Sequence, residues 1–445
     1  MAPGPSAKAF PLDGYTDRQS YAPGEKVSFH VSCAASNYDL IISRAGVADE
    51  VVHTEKAILG AVHPIPADTS ANGCRWPVSW TFTIPPTWRS GYYRVRLEAS
   101  DKDGNKHTAP LFFVVRAATP GKTSKILFQF ATNTYNAYTN FGGYSLYGYH
   151  ARDKVQGRRV SFHRPQSSQF DSWESHFVRW AEGNGWPLEY ATNLDLAQRP
   201  ELLKAYKLVL SVGHDEYWSG PMRDHLEAYI AAGGHVAFFS GNTCCWQVRA
   251  EDGGTALTCY KQAYRADPFF SKGERKNLST LWSHHLLGRP ENTLTGVGFL
   301  HGGYHKSHGQ LMNGSGAFTM HQPDHWLFEG TGVKRGEEFG AKFKVVGYEC
   351  DGCELAWKDG IPTPTHTDGT PKGFKVLATA PTKWAPDDCE WYEKWTRGHT
   401  GHAVIGTYTR GGTVVTVGTT DWARGLRGDA IVIRITENVL RRLSK

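Results

Sequence analysis

Long apolar runs are absent from this 445-residue chain, so no stretch reaches the ~20 residues that a membrane-spanning helix needs. Runs of like charge are absent too. Forty-nine Lys and Arg against 43 Asp and Glu leave a net charge of +6 spread along the chain. That excludes a basic stripe for nucleic acid and a basic helix for a membrane surface. The opening residues, Met1-Ala-Pro-Gly-Pro-Ser-Ala-Lys8, hold no apolar core of a secretory signal, so a cytoplasmic location is expected. The eight cysteines have no regular spacing and form no disulfide ladder; reduced thiols are expected. Several catalytic signatures are missing as well. There is no His-Glu-x-x-His, no Gly-x-Ser-x-Gly at a strand end and no phosphate-cradling glycine loop. Aromatic residues, by contrast, are plentiful, with 15 Trp, 20 Tyr and 21 Phe, many beside glycine. They suit strand-rich packing and an aromatic-walled pocket alike.

Residues 1–118 read as one unit. Alternating strands Val27–Val31, Tyr38–Ile42, Trp80–Ile84, Tyr93–Leu97 and Leu111–Val115 are separated by Gly, Pro and Asp turns, which predicts an immunoglobulin-like β-sandwich. Cys33 and Cys74 are candidates for its bridge, though a reducing compartment argues against one. Ala117–Ser124 reads as a linker. Residues 125–445 then form the second unit. Ile126–Phe130, Leu188–Thr192, Leu208–Val212 and His235–Phe239 read as strands. Helices are expected at Phe170–Asn184, from Asp195, at Met222–Ala232 and at Ile431–Leu443, and Ala131–Tyr138 as a polar loop. Strand–helix alternation predicts an α/β doubly wound, mostly parallel sheet of the glutamine-amidotransferase-like kind. Beyond Asp267 the chain reads as loop-rich, with strands at Val345–Asp351, Val404–Tyr408 and Val414–Val417.

The stretch with most chemistry is Leu208–Ser219. An apolar strand breaks at Gly213 and is followed at once by His214, Asp215, Glu216, Tyr217 and Trp218. Ligands of open α/β sheets bind beyond the carboxyl ends of strands, where this packet would lie. Asp215 reads as structural. Cys350-Asp-Gly-Cys353 has zinc-knuckle spacing but no second pair, so a tight turn with two packed thiols is expected. Pro323 argues for a loop rather than a helix across His321–His325. Cys244 and Cys245 follow a strand end, which opens an alternative: a cysteine-nucleophile hydrolase of amidotransferase type. Their context, Gly-Asn-Thr-Cys-Cys-Trp, lacks the glycines of a strained elbow. A non-catalytic carbohydrate-binding or adhesion protein is a further alternative, but one that needs an export route.

Gly213-His-Asp-Glu-Tyr-Trp-Ser219, with Met222-Arg-Asp-His-Leu-Glu227 and Gly233-Gly-His-Val-Ala-Phe-Phe-Ser-Gly-Asn-Thr243, resembles the large (β) subunit of N,N-dimethylformamidase. Thr134–Tyr138, Gly142–Tyr147, Phe328–Gly332 and Gly347–Asp351 resemble it too. In the sandwich the likeness is centred on Trp88-Arg-Ser-Gly-Tyr-Tyr93. The resemblance implies hydrolysis of a small amide, such as an N-substituted formamide, at a mononuclear ferric centre, Fe(3+), held by two tyrosinates and one glutamate. Carried over by motif, the ligands are Glu216, Tyr135 and Tyr93, with Tyr92 the alternative to Tyr93. His214, Asn242 and Glu349 are implied as catalytic residues around the metal. Hard anionic oxygens suit a hard cation, so the ligand set is chemically consistent. The family's large subunit is longer and pairs with a small subunit, so a small subunit or self-association is the implied partnership.

Overall fold

A computed structural model describes residues 10–304, 306–307, 310–311, 315–384, 391–395 and 400–445. The N-terminal part is a two-sheet sandwich. Leu12–Thr16, Lys26–Cys33 and Trp80–Thr83 form one sheet; Ser20–Tyr21, Lys106–Val115, Gly91–Ser100, Asn37–Arg44 and Glu50–Leu59 form the other. Alternation drives the packing. Val27, Phe29 and Val31 of the first sheet meet Leu40, Ile42, Tyr93, Val95 and Phe113 of the second in one core. The other face of the second sheet is apolar as well: Tyr92, Phe112 and Val114 belong to the core of the second unit. Cys33 and Cys74 are both free thiols, so the sandwich carries no bridge between them.

The second unit is built on an 11-stranded sheet. Five strands run parallel, in the order Glu189–Thr192, Ile126–Phe130, Leu208–His214, His235–Gly241 and Gly412–Thr416. The sheet then continues antiparallel through Thr400–Arg410, Lys375–Lys383, Gly298–Tyr304 and Glu349–Gly352. This overturns the expectation of a doubly wound, mostly parallel sheet. The parallel strands are only part of a mixed sheet, and smaller sheets, themselves mostly antiparallel, accompany it. The strands that change the class lie beyond Asp267. There Val404–Tyr408 was expected as a strand and lies within Thr400–Arg410, but Gly298–Tyr304 and Lys375–Lys383 were not expected. Glycines and a histidine in Gly298–Tyr304 hide the alternation that marks a strand.

Around the parallel strands, apolar side chains alternate between two cores. Ile126, Phe128 and Phe130 face the Glu174–Gly183 and Ala430–Leu443 helices. Leu127, Val209, Val236 and Phe238 face the Asn193–Gln198 and Gly220–Ala231 helices. Local signals set the helix starts. Thr192 and Asp195 form a reciprocal capping box, and Ser219 caps the helix that Pro221 enters. Ala131–Tyr138, expected as a loop, is mostly a helix, Thr132–Tyr138. The strand expected at Val345–Asp351 is shorter, Glu349–Gly352, and takes the place of the tight turn expected at Cys350–Cys353; both thiols are buried, as expected, and free. His321–His325 is non-helical, as its proline requires. Cys389 lies outside the described residues. No helix among the described residues is long and apolar enough to cross a membrane.

Candidate active site

Strand Leu208–His214 is buried along its whole length. Gly213, its penultimate residue, has φ +82, a left-handed conformation that disfavours a side chain, and a Cβ there would stand 2.4 Å from Trp173 Cβ. The chain can therefore turn out of the sheet beneath an indole and present three consecutive ionisable groups. Asp215 points back into the protein. It accepts from Ser211 Oγ at 2.8 Å, Gln129 Nε2 at 2.5 Å and Asn193 Nδ2 at 3.1 Å, and burial pushes its pKa up to about 6. It anchors the turn.

Glu216 faces the other way, into a cluster of buried oxygens. Tyr147 Oη lies 2.8 and 2.9 Å from its two carboxylate oxygens, and Tyr138 Oη donates to Oε2 at 3.1 Å. The two phenolic oxygens are 2.8 Å apart. Trp246 Nε1 donates to Glu216 Oε1 at 2.7 Å, and the Glu216 N–H donates to Thr134 Oγ1 at 3.0 Å. Tyr217 Oη donates to Tyr147 Oη at 2.8 Å, and Lys261 Nζ donates to Tyr217 Oη at 2.8 Å.

His214 stands between two acids, its Nε2 2.8 Å from Glu349 Oε2 and 3.2 Å from Glu216 Oε2. Asn242 Nδ2 donates to Glu349 Oε2 at 3.2 Å. Glu349 comes from the far edge of the sheet. Its strand folds back across the ends of the parallel strands, where Thr420 N–H donates to Glu349 O and Asp351 N–H donates to Gly418 O. Asn242 adopts φ +51 at the end of His235–Gly241, in the left-handed region that asparagine tolerates best after glycine.

Burial dominates the electrostatics. It opposes charge on His214, but the Glu349 and Glu216 carboxylates outweigh it and carry the imidazole up to about 10. Burial also opposes charge on Glu216, yet the hydrogen bond and charge of His214, with Lys261, hold that carboxyl below its usual range. Glu349 is raised, by burial first and then by the Glu216 charge, although His214 pulls the other way. Burial and the Glu216 carboxylate hold the Tyr138 and Tyr147 phenols well above their ordinary value. His214 Nδ1 and Asn242 Oδ1 are buried with no hydrogen-bond partner among the described residues.

The structure thus brings together four of the expected site residues: His214, Glu216, Asn242 and Glu349. It does not bring Tyr93 or Tyr135 to them. Tyr93 lies in the sandwich core, donates to Arg89 O at 2.6 Å and stacks on Trp88. The alternative, Tyr92, faces the second unit but donates to Ser168 Oγ at 2.7 Å and stacks on Phe170. Tyr135 is buried in its helix and donates to Glu174 Oε1 at 2.5 Å. The phenols at Glu216 are Tyr138 and Tyr147, which close the same two segments that carry the resemblance. For Tyr135 the segment was right and the position wrong, since Tyr138 of the same helix reaches Glu216. For Tyr93 the segment itself was wrong, since the second phenol, Tyr147, comes from the Gly-aromatic loop and not from the sandwich. Tyr217, Trp246 and Lys261 had no sequence signal beyond the first lying in the packet.

One other group, His284, His285 and Glu393, has the composition of a metal site. There Leu286 N–H donates to His284 Nδ1 at 3.2 Å, which leaves the ring proton on Nε2, 3.7 Å from Glu393. Burial lowers that imidazole to about 4. Among the described residues that Nε2 has no hydrogen-bond partner.

A buried carboxylate–phenol–imidazole centre at the end of a mixed sheet is therefore the defining feature. A model of the family described as N,N-dimethylformamidase beta subunit-like, C-terminal, matches residues 42–437, and the chain belongs to that family. It is 26% identical over 352 residues to an N,N-dimethylformamidase beta subunit of Alcaligenes sp, covering 66% of this chain and 44% of that protein. It is 25% identical over 356 residues to the same subunit of Paracoccus aminophilus, with the same coverage. The match thus spans less than half the length of these curated relatives. Murine CRIg aligns with 24% of this chain and 98% of its own at 10% identity, with a TM-score of 0.17. At that score it carries no argument about the fold.

Proposed function

We propose that this chain hydrolyses a small N-substituted amide, of the N,N-dimethylformamide kind, at a mononuclear ferric centre held by Glu216, Tyr138 and Tyr147. The observation that carries the reading is the convergence of four oxygens, the two of the Glu216 carboxylate and the two phenol oxygens. The phenol–phenol contact and the phenol–carboxylate contacts of 2.8–3.1 Å are close to the ~2.8 Å between neighbouring ligands in an octahedron with bonds near ~2 Å. The single Tyr147 proton cannot serve three oxygens at once, whereas a cation in their midst would satisfy all of them. Two phenolates and a carboxylate supply three negative charges of hard oxygen, matched to a trivalent ion.

When bound, the ion would supply Lewis acidity toward an amide carbonyl and acidify water. The rest falls to the chain. Glu349, whose basicity burial raises, takes the proton of the attacking water. Asn242 holds that carboxylate with one amide hydrogen and keeps the second for the oxygen that gains charge. His214, kept protonated by its two acids, delivers a proton to the departing amine. The thiol route has less support. Cys244 is fully buried, its φ is +56, and burial pushes the thiol well up, away from the thiolate a nucleophile needs. The curated relatives are named as a beta subunit, and we extend to this chain the expectation of a companion subunit or self-association.

Purified protein is expected to hold about one iron per chain and to absorb in the visible through phenolate-to-iron charge transfer. Glu216→Ala and the Tyr138→Phe, Tyr147→Phe pair should lose both iron and colour while keeping the fold by circular dichroism. Iron-free, colourless protein that still cleaves amides at full rate would end the metal reading. Glu349→Gln should keep the colour and lower kcat about 10²–10⁴-fold.

A further inference from the structure

Lys261 is a buried lysine, only 4% exposed, and it enters its segment with a left-handed backbone at φ +52. No salt bridge involving it occurs among the described residues. Its ammonium group instead reaches inward. Nζ donates to Tyr217 Oη at 2.8 Å and to Leu146 O at 3.3 Å. It also lies 3.4 Å from the centroid of the Tyr147 ring and 4.6 Å from that of Trp246. Both of those rings donate to Glu216 Oε1, and Tyr217 in turn donates to Tyr147 Oη. The result is a line from Nζ through the Tyr217 hydroxyl to the Tyr147 oxygen, with the same cation seated on the Tyr147 ring face. An ammonium group buried without a carboxylate partner is costly, and a methionine would fill the space more cheaply. The arrangement therefore asks for a use.

We infer that Lys261, with Tyr217 as its intermediary, sets how strongly the Tyr147 oxygen gives electron density to the cation at this site; the inference rests on the ferric reading above. Two effects act in the same direction. A hydrogen bond to a phenolate oxygen draws charge away from the bonding lone pair, and chains of such bonds reinforce one another in a low-dielectric interior. A cation over the ring face draws on the same π-electrons. A weaker donor leaves the metal a stronger Lewis acid toward an amide carbonyl. Lys261 and Tyr217 are positioning residues in this scheme. They touch the ligand, not the substrate.

The test is the colour of the iron-loaded protein. Lowering the energy of the phenolate donor orbital raises the charge-transfer energy, so removing Lys261 or the Tyr217 hydroxyl should move the band to longer wavelength. Lys261→Met and Tyr217→Phe, each loaded with ferric iron to the wild-type stoichiometry, should both show that shift. Because Lys261 acts partly through Tyr217 and partly by its own seat on the Tyr147 ring, the double variant should move the band further than either single variant but by less than the sum of the two. Lys261→Arg keeps the charge and should keep the band near its original place. If Lys261→Met fails to fold, Tyr217→Phe, which removes one oxygen, carries the test alone. A coloured wild type whose band stays in place in folded, iron-holding variants overturns this inference and leaves the ferric centre intact. A wild type without iron or colour overturns the ferric reading, and this inference falls with it.

Discussion

Neighbouring tyrosines meet different fates here because a side chain's direction is set by the element it stands on. Tyr92 and Tyr93 are adjacent on a strand and point to opposite faces, one into the interface with the second unit and one into the sandwich core. Tyr135 and Tyr138 share a short helix; the first reaches Glu174 and the second Glu216. Tyr93→Phe should cost about 0.5–1.5 kcal/mol in urea unfolding and leave iron binding untouched. Tyr135→Phe leaves the buried Glu174, whose pKa burial has pushed up to about 7, without its strongest donor. It should cost about 1–3 kcal/mol, again with iron content unchanged. If either variant lost its iron, the assignment to Tyr138 and Tyr147 would be wrong. The motifs pointed to one of the two phenol-bearing segments. That Tyr138 rather than Tyr135 reaches Glu216 depended on a helix that the polar composition of Ala131–Tyr138 did not announce. The second phenol, Tyr147, belongs to the Gly142–Tyr147 loop and not to the sandwich, where the likeness placed it at Tyr93.

At the level of elements, Leu208–His214 and His235–Gly241 were legible because they are nearly unbroken apolar runs closed by glycine. The antiparallel half was legible only in part: Val404–Tyr408 and the end of Val345–Asp351 read as strands, while Gly298–Tyr304 and Lys375–Lys383 did not. Yet that half delivers Glu349, across a strand contact so close that no methyl group fits. A Cβ on Gly241 would stand 2.4 Å from Thr420 N and 2.5 Å from Glu349 O, both backbone atoms. Gly241→Ala must therefore push the Glu349 strand away from His214. The expected outcome is a loss of about 3 kcal/mol in thermal unfolding together with loss of turnover. Retention of full activity would mean that Glu349 has no part in the chemistry.

Across the whole molecule, the sandwich and the second unit are joined by charge as well as by apolar surface. Arg44 Nη2 donates to Glu182 Oε1 at 2.6 Å, Arg94 pairs with Asp171, and Arg116 reaches Asp195. Burial opposes charge on Glu182, but Arg44 and Tyr190 outweigh it and hold the carboxyl below its usual value. A carboxyl with a depressed folded pKa gives stability that is fully present above its unfolded value, ~4.3. That stability is lost as pH falls through the lower, folded value, so chemical denaturation should show a decline beginning below about pH 5. Glu182→Gln leaves Arg44 buried and uncompensated and should cost about 3 kcal/mol, with much of the acid sensitivity gone.

Tyr92, lying 4.1 Å from Phe170 at an interplanar angle of 4°, belongs to a core that runs without interruption from the first hundred residues into the last. Severing the Ala117–Ser124 connection with a protease should accordingly yield two fragments on a denaturing gel but one particle in gel filtration. Expressed by itself, residues 125–445 would present a bare aromatic wall to water and should aggregate.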